Sequence, residues 1–139
     1  MADMREVQND EDIEKVADLA HRIWNEHYVD IIGQAQVDYM LEEMQSADAV
    51  REQILEGHRY FLIREAGEDV GYWAVLPQPE QNTMKLSKIY VRSDMRGEGL
   101  GREVIEAAEE LCRRAGLPTL WLAVNKNNTK SIAFYKKMG

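Results

Sequence analysis

Apolar residues recur along this chain with two different periods, and the change between them predicts where helices give way to strands. Met4 to Gln8 is short enough for a first strand. Asn9 and Asp10 then offer N-caps, and Ile13, Val16, Ala17, Ala20, Ile23 and Trp24 return at the spacing of one helix face. The segment His27-Tyr28-Val29-Asp30-Ile31-Ile32-Gly33 breaks that stripe. Gln36 to Leu55 predicts a second helical region, interrupted near Ser46-Ala47-Asp48 and ended by Gly57.

From Tyr60 the pattern shortens. Tyr60-Phe61-Leu62-Ile63-Arg64 and Val70-Gly71-Tyr72-Trp73-Ala74-Val75-Leu76 are β-rich, and the polar Glu65-Ala66-Gly67-Glu68-Asp69 between them reads as a hairpin turn. Pro77 and Pro79 are expected to stop the second run. After a turn through Gln81-Asn82, Met84 to Val91 supplies a further strand, so three antiparallel strands are expected in succession. Gly101 to Ala115 returns to helical spacing, with Val104, Ile105, Ala108, Leu111, Cys112 and Ala115 on one face and Gly116 and Pro118 closing the helix. Cys112 on that stripe reads as a small core residue rather than a nucleophile. Thr119-Leu120-Trp121-Leu122-Ala123-Val124 is nearly continuously apolar, as in a strand covered on both faces. The polar Asn125 to Asn128 leads into a last helix. The predicted order is strand, two helices, three strands, helix, strand, helix: an α/β fold.

At 139 residues the chain is expected to be one domain, residues 1–139, large enough for its own core. The single Cys112 excludes an internal disulfide, and Met1-Ala2-Asp3-Met4-Arg5 lacks the basic-then-apolar run of a secretory signal, so a cytoplasmic protein is expected. No apolar stretch approaches the ~20 residues of a membrane helix. The 25 acidic against 17 basic side chains give a net charge of −8, which argues against non-specific nucleic-acid binding and suits attraction of a cationic small molecule such as an amine.

The chemistry concentrates where Ile89-Tyr90-Val91 runs into Arg92-Ser93-Asp94-Met95-Arg96-Gly97-Glu98-Gly99-Leu100-Gly101-Arg102. A strand, an Arg/Gly-rich turn and a helix start in succession make a phosphate cradle. Glycine lets backbone N–H groups curl around an anion, and the helix adds the positive end of its dipole. A P-loop would need Gly-Lys-Ser/Thr, but Gly101 is followed by Arg102-Glu103. A dinucleotide fingerprint would need Gly or Ala where Arg102 stands. Arg96-x-x-Gly99-x-Gly101 instead resembles the pyrophosphate-binding signature of the GNAT acetyltransferases. Asn128-Thr129-Lys130-Ser131-Ile132-Ala133-Phe134-Tyr135-Lys136-Lys137-Met138-Gly139 resembles that family's C-terminal helix, with Ser131 for the usual Ala. The resemblance covers roughly residues 60 to 139.

It implies the GNAT acyl-CoA fold, a mixed central sheet flanked by helices, and transfer of an acetyl group from acetyl-CoA to a primary amine by direct attack, without a metal. Polyamines, other small amines, protein N-termini and lysines are the implied acceptors, with a weak likeness to the polyamine or protein acetyltransferase branch. Two neighbouring parallel strands, Leu86 to Val91 and Leu120 to Val124, would splay to admit pantetheine, with main-chain groups of Ile89, Tyr90 and Val91 as partners. Arg96, Gly97, Glu98, Gly99, Leu100, Gly101 and Arg102 would hold the pyrophosphate, mostly through backbone, with the Glu98 side chain turned to solvent. Asn128 would contact pantetheine and Tyr135 would protonate the departing thiolate; they also read as a helix cap and a half-buried aromatic. A non-catalytic acyl-CoA sensor or regulatory domain is the alternative reading.

The general base has no motif. An alkyl ammonium with a pKa of about 10.4 is only ~0.1% neutral at physiological pH, so attack requires deprotonation. Some relatives carry Glu on the penultimate strand where this chain has Ala123, and Ser87 and Lys88 on the preceding strand are not carboxylates. Glu26, His27, Asp30 or a water chain remain, and His27 titrates in the useful range. Trp24, His27 and Tyr28 are the substrate-site candidates, with Tyr39, Tyr72 and Trp73 as further aromatics. Alternation lets at most one of Tyr72 and Trp73 join a given pocket. GNAT chains usually add strand beyond the point reached at Gly139, and without it Thr119 to Val124 would carry an unpaired apolar edge. The expectation is therefore that the polypeptide continues, or that a second copy covers that edge in a homodimer.

Overall fold

In the computed structural model residues 3–92 and 99–121 are described, His27 by its backbone alone. The order is β1 (Asp3–Glu6), α1 (Asp10–His27), α2 (Val29–Ile32), α3 (Gln34–Glu43), α4 (Ala47–Leu55), β2 (Arg59–Glu65), β3 (Glu68–Gln78), a 3₁₀ turn (Pro79–Gln81), β4 (Thr83–Val91), α5 (Leu100–Ala115) and β5 (Thr119–Trp121). The strands form one sheet in chain order, antiparallel from β1 to β4 and parallel between β4 and β5. This is the expected α/β architecture with a mixed sheet.

Local chemistry sets most boundaries. Asn9 caps α1 by accepting from the Asp12 N–H at 2.9 Å, and Ser46 caps α4 by accepting from Ala49 at 3.1 Å. The interruption expected near Ser46 is thus a full break between α3 and α4, and α3 begins at Gln34 rather than Gln36. The segment after α1 contains the short α2, ended at Gly33 with φ +86°. The β2–β3 hairpin tightens to Ala66-Gly67, both at positive φ, as a two-residue turn between twisted strands demands. Pro77 does not stop β3: it pairs opposite Met84, where β3 has already run past its last β2 partner at Val75 and has one free edge. The first strand covers Asp3–Glu6 rather than reaching Gln8, although Val7 still donates to the Tyr60 carbonyl at 2.8 Å.

Alternation along the strands splits the core between the two faces. Tyr60, Leu62, Tyr72 and Ala74 pack under Val16, Ala20, Ile23 and Trp24 of α1, Val37 of α3 and Val50 of α4. Phe61, Ile63, Trp73, Val75, Met84 and Leu86 pack under Leu100, Val104, Ala108 and Cys112 of α5. The α1 stripe also includes buried Leu19, which the expected set lacked, while Ala17 is only partly covered. Tyr72 and Trp73 fall on opposite faces, as their alternation requires.

Candidate active site

The α5 face delivers a glycine-marked helix end. Gly99 stands at the N-cap of α5 with φ +79° and no side-chain cap bond, and its carbonyl accepts the first helical bond from Glu103 at 3.2 Å. That φ disfavours every L side chain and most of all a β-branched one. Gly101 is different: its φ is unexceptional and, among the described residues, an added Cβ would meet no atom within 4 Å. Glycine in a helix costs up to about 1 kcal/mol against alanine, and nothing in the packing of the described residues requires it at 101. The cleared surface suits an anion approaching the first turn, where backbone N–H groups lack helical acceptors. Leu100, 3% exposed, anchors this turn in the core, and Arg102 is exposed beside it. Arg96, Gly97 and Glu98 lie outside the described residues, as do Asn128 and Tyr135.

Strand β4 leads into this turn, and its alternation breaks midway. Met84 and Leu86 belong to the α5 face, yet so do Ile89 and Val91. Ala74 pairs with Lys88 but Val75 with Leu86, leaving Ser87 as the extra residue of a β-bulge, its hydroxyl donating to the Ala74 carbonyl at 3.2 Å. The bulge re-aims everything after it, putting Lys88 and Tyr90 against the helices of the other face. The two adjacent polar residues Ser87-Lys88 inside an apolar alternation were the signal for it in the sequence.

Main-chain directions follow. Arg92 donates to the Val70 carbonyl of β3 at 2.8 Å, and the Tyr90 carbonyl lies so close to Gly71 that an added Cβ there would sit 2.5 Å from it. Because successive peptide groups point to opposite edges, Tyr90 spends its N–H and C=O on β3. Ile89 and Val91 turn theirs to the β5 side, so of the three expected main-chain partners these two face away from β3 and Tyr90 does not. The described part of β5 pairs only with Thr83, Met84 and Lys85, below that segment.

On the helix face an aromatic group gathers over the end of β4. Trp24 lies 4.4 Å from Tyr28 and 5.5 Å from Tyr90, and Tyr72 lies 5.4 Å from Tyr90 between ring centroids. Trp24, Tyr28 and Tyr72 are thus brought together, joined by Tyr90, whose side chain had not been singled out. Tyr39 is 57% exposed on α3 and Trp73 stacks on Phe61 at 4.2 Å across the sheet, so neither belongs to this group. Glu26 pairs with Arg22 at 2.9 Å, and Asp30 is exposed on α2.

Next to the aromatics lies a polar network. Lys88 Nζ donates to the Met44 carbonyl at 2.9 Å, to Tyr60 Oη at 2.5 Å and more weakly to Gln45 Oε1 at 3.4 Å. Tyr72 donates to Gln45 at 2.8 Å, and Tyr60 to Gln53 at 2.5 Å. Burial raises the Tyr60, Tyr72 and Tyr90 phenols above their ordinary range and pushes the Lys88 ammonium down to about 8. Burial also lowers His58, and raises the Cys112 thiol, which agrees with a packing role. Among the described residues no group of three or more His, Cys, Asp or Glu could hold a metal, and no helix is long and apolar enough to cross a membrane.

A family model described as the acetyltransferase (GNAT) family matches residues 13–139. An IAA acetyltransferase of Azospirillum brasilense is 31% identical over 81 residues, 58% of this chain and 53% of that protein. A [ribosomal protein bS18]-alanine N-acetyltransferase of Salmonella typhimurium is 30% identical over 84 residues, 60% of this chain and 57% of its own length. The chain thus spans about half the length of these curated relatives. Among solved structures, the PaiA N-acetyltransferase from Thermoplasma acidophilum in complex with coenzyme A matches with a TM-score of 0.79 at 19% identity, over 100% of this chain and 89% of that one.

Proposed function

The chain belongs to the acetyltransferase (GNAT) family, and on that premise we propose that it transfers the acetyl group of acetyl-CoA to a primary amine by direct attack. The observation that carries this reading is the junction of β4 and α5. Ile89 and Val91 present main-chain groups to the β5-side edge of β4, and the strand then leads to a helix whose first turn, among the described residues, is left clear at Gly99 and Gly101. Together they suit a ligand with an amide-bearing arm and an anionic head. In this reading Arg96 to Arg102 hold the pyrophosphate, Ile89 and Val91 pair with pantetheine and aim an N–H at the thioester carbonyl, and Asn128 adds a contact. A well-placed donor to the developing oxyanion contributes about 3 kcal/mol. Tyr135 protonates the departing thiolate. Trp24, Tyr28 and Tyr90 wall the acceptor side, and the acidic surface attracts a cationic amine. Amine acceptors are supported by relatives described as peptidyl-lysine, ribosomal alanine and methionine sulfoximine acetyltransferases.

Calorimetry with acetyl-CoA, ATP and NAD tests the cradle: binding of acetyl-CoA alone is expected, and Gly99→Val should abolish it. Spermidine, L-methionine sulfoximine and a peptide with N-terminal alanine then serve as acceptors. Turnover of at least one is expected, with Tyr135→Phe lowering kcat roughly ten- to a thousand-fold while leaving acetyl-CoA affinity nearly unchanged. Binding without turnover of any amine would favour the sensor.

A further inference from the structure

A cavity of about 450 Å³ opens between α4 and the bulged part of β4, lined by Met44, Gln53, His58, Lys85, Ser87 and Lys88. Lys88 sits at the bulge, one residue before Ile89, whose N–H faces the edge assigned above to the thioester. All the hydrogen-bond partners of its Nζ among the described residues are neutral. The longest, to Gln45 at 3.4 Å, is the one an incoming amine displaces most easily. The carboxylates Glu43, Glu52 and Glu56 stand on the helix wall of the same cavity, exposed to water and placed to attract a cation.

We propose that Lys88 is the general base of the transfer, taking the proton from an alkyl-ammonium acceptor that enters through this cavity; the assignment rests on the acetyl-transfer reading above. Neutral Nζ accepts one proton from the R–NH₃⁺ group. The freed lone pair forms the C–N bond at the thioester carbonyl carbon, the C–S bond breaks as Tyr135 gives its proton to the departing thiolate, and the second amine proton restores Tyr135. Lys88 then returns its proton to water through the cavity. One proton is released per turnover, and no other reactant is needed.

The neighbours leave this task to Lys88. Tyr60 accepts from it, Tyr72 shares its Gln45 partner, and burial makes these phenols and that of Tyr90 hold their protons more tightly. His58 has Nδ1 3.3 Å from the Gln53 carbonyl and is pulled down by burial and by Lys88 itself. Lys85 lies over the Trp121 ring at 5.3 Å. Desolvation brings Lys88 to about 8, so about a quarter of it is neutral at pH 7.5.

The test compares the parent with Lys88→Arg, which keeps the cation and its donors but never gives up its proton. The fastest acceptor of the panel above is compared with hydroxylamine, an amine already neutral at pH 7.5. Where that acceptor is the peptide, its N-terminus is acetylated and a lysine serves as the acceptor, so that no substrate group titrates at about pH 8. The expected result is a fall of 100-fold or more in kcat/KM for the alkyl amine at pH 7.5. Hydroxylamine turnover and the acetyl-CoA dissociation constant should stay within about threefold. The parent's kcat/KM should rise with an apparent pKa near 8, a limb absent from the variant. Equal losses for both amines would make Lys88 a packing residue, and a parent limb below pH 7 would transfer the role to His58; either overturns the proposal. If Lys88→Arg does not fold, an NMR titration of the parent with ¹³C-labelled lysine decides, because a Lys88 signal titrating at the ordinary value overturns it too. A parent that does not bind acetyl-CoA would instead remove the transfer reading.

Discussion

The two faces of the sheet are built to different rules. The α5 face is dry: Trp73 lies flat on Phe61, and Val75, Met84, Leu86, Val104 and Ala108 close around them. The α1–α4 face is equally buried, yet Tyr60, Tyr72 and Lys88 reach through it to Gln53, Gln45 and the Met44 carbonyl. An apolar face orders its helix by area alone and has only shape to specify. A face with buried hydroxyls and an ammonium must satisfy each of them, because an unpaired buried polar group costs about 1–3 kcal/mol. The first arrangement suits a rigid platform for the glycine-marked start of α5. The second fixes the α3–α4 break on the bulge of β4, where an acceptor would arrive.

That contrast can be broken from either side. Trp73→Ala, on the dry face, should have the largest effect: the residue is 1% exposed, and truncation of such an aromatic typically costs about 3–5 kcal/mol, read by urea unfolding. Gly71→Ala should come next, about 1–3 kcal/mol, since the new methyl meets the Tyr90 carbonyl at 2.5 Å and must push β4 aside. Because that shift moves Ile89 and Val91, calorimetry should also show acetyl-CoA binding weakened at least tenfold.

On the polar face Tyr72→Phe removes the 2.8 Å bond to Gln45 and should cost about 1–2 kcal/mol at neutral pH. Burial raises the Tyr72 phenol above its unfolded value. Its contribution is therefore complete below about pH 10 and lost as pH rises through the folded value. Parent stability should fall between pH 9 and 11, and the variant should lose less over that interval. Gly101→Ala should give the smallest change in stability and the opposite sign, a gain of up to about 1 kcal/mol, while acetyl-CoA binding drops. A variant that is more stable and binds as well as the parent would mean that the surface cleared at Gly101 is not used.

Much of this was legible in the chain. Asn9, Ser46, Gly33 and Gly116 mark helix ends through their own backbone and side-chain chemistry, and the apolar stripes of α1 and α5 announce their buried faces. The start of α5 was legible too, since Gly99 acts through the local backbone. Pro77 misled because whether a proline ends a strand depends on the strand beside it. Lys88 was passed over because, as a residue type, it is a solvent cation; only the descent of α3–α4 onto Tyr60 takes it out of water.

What the sequence by itself determined is therefore the succession of helical and strand regions over the described residues and the glycine-marked start of α5, because hydrophobic period, capping and glycine conformation act within a few residues. The tertiary structure alone decided that Ser87 is the extra residue of β4, that Ile89 and Val91 rather than Tyr90 turn their main-chain groups to the β5 side, and that Lys88 meets Met44, Gln45 and Tyr60. Register and desolvation are properties of pairs of segments distant in the chain. A one-residue slip between β3 and β4 would reverse every one of those assignments without changing a letter of the sequence.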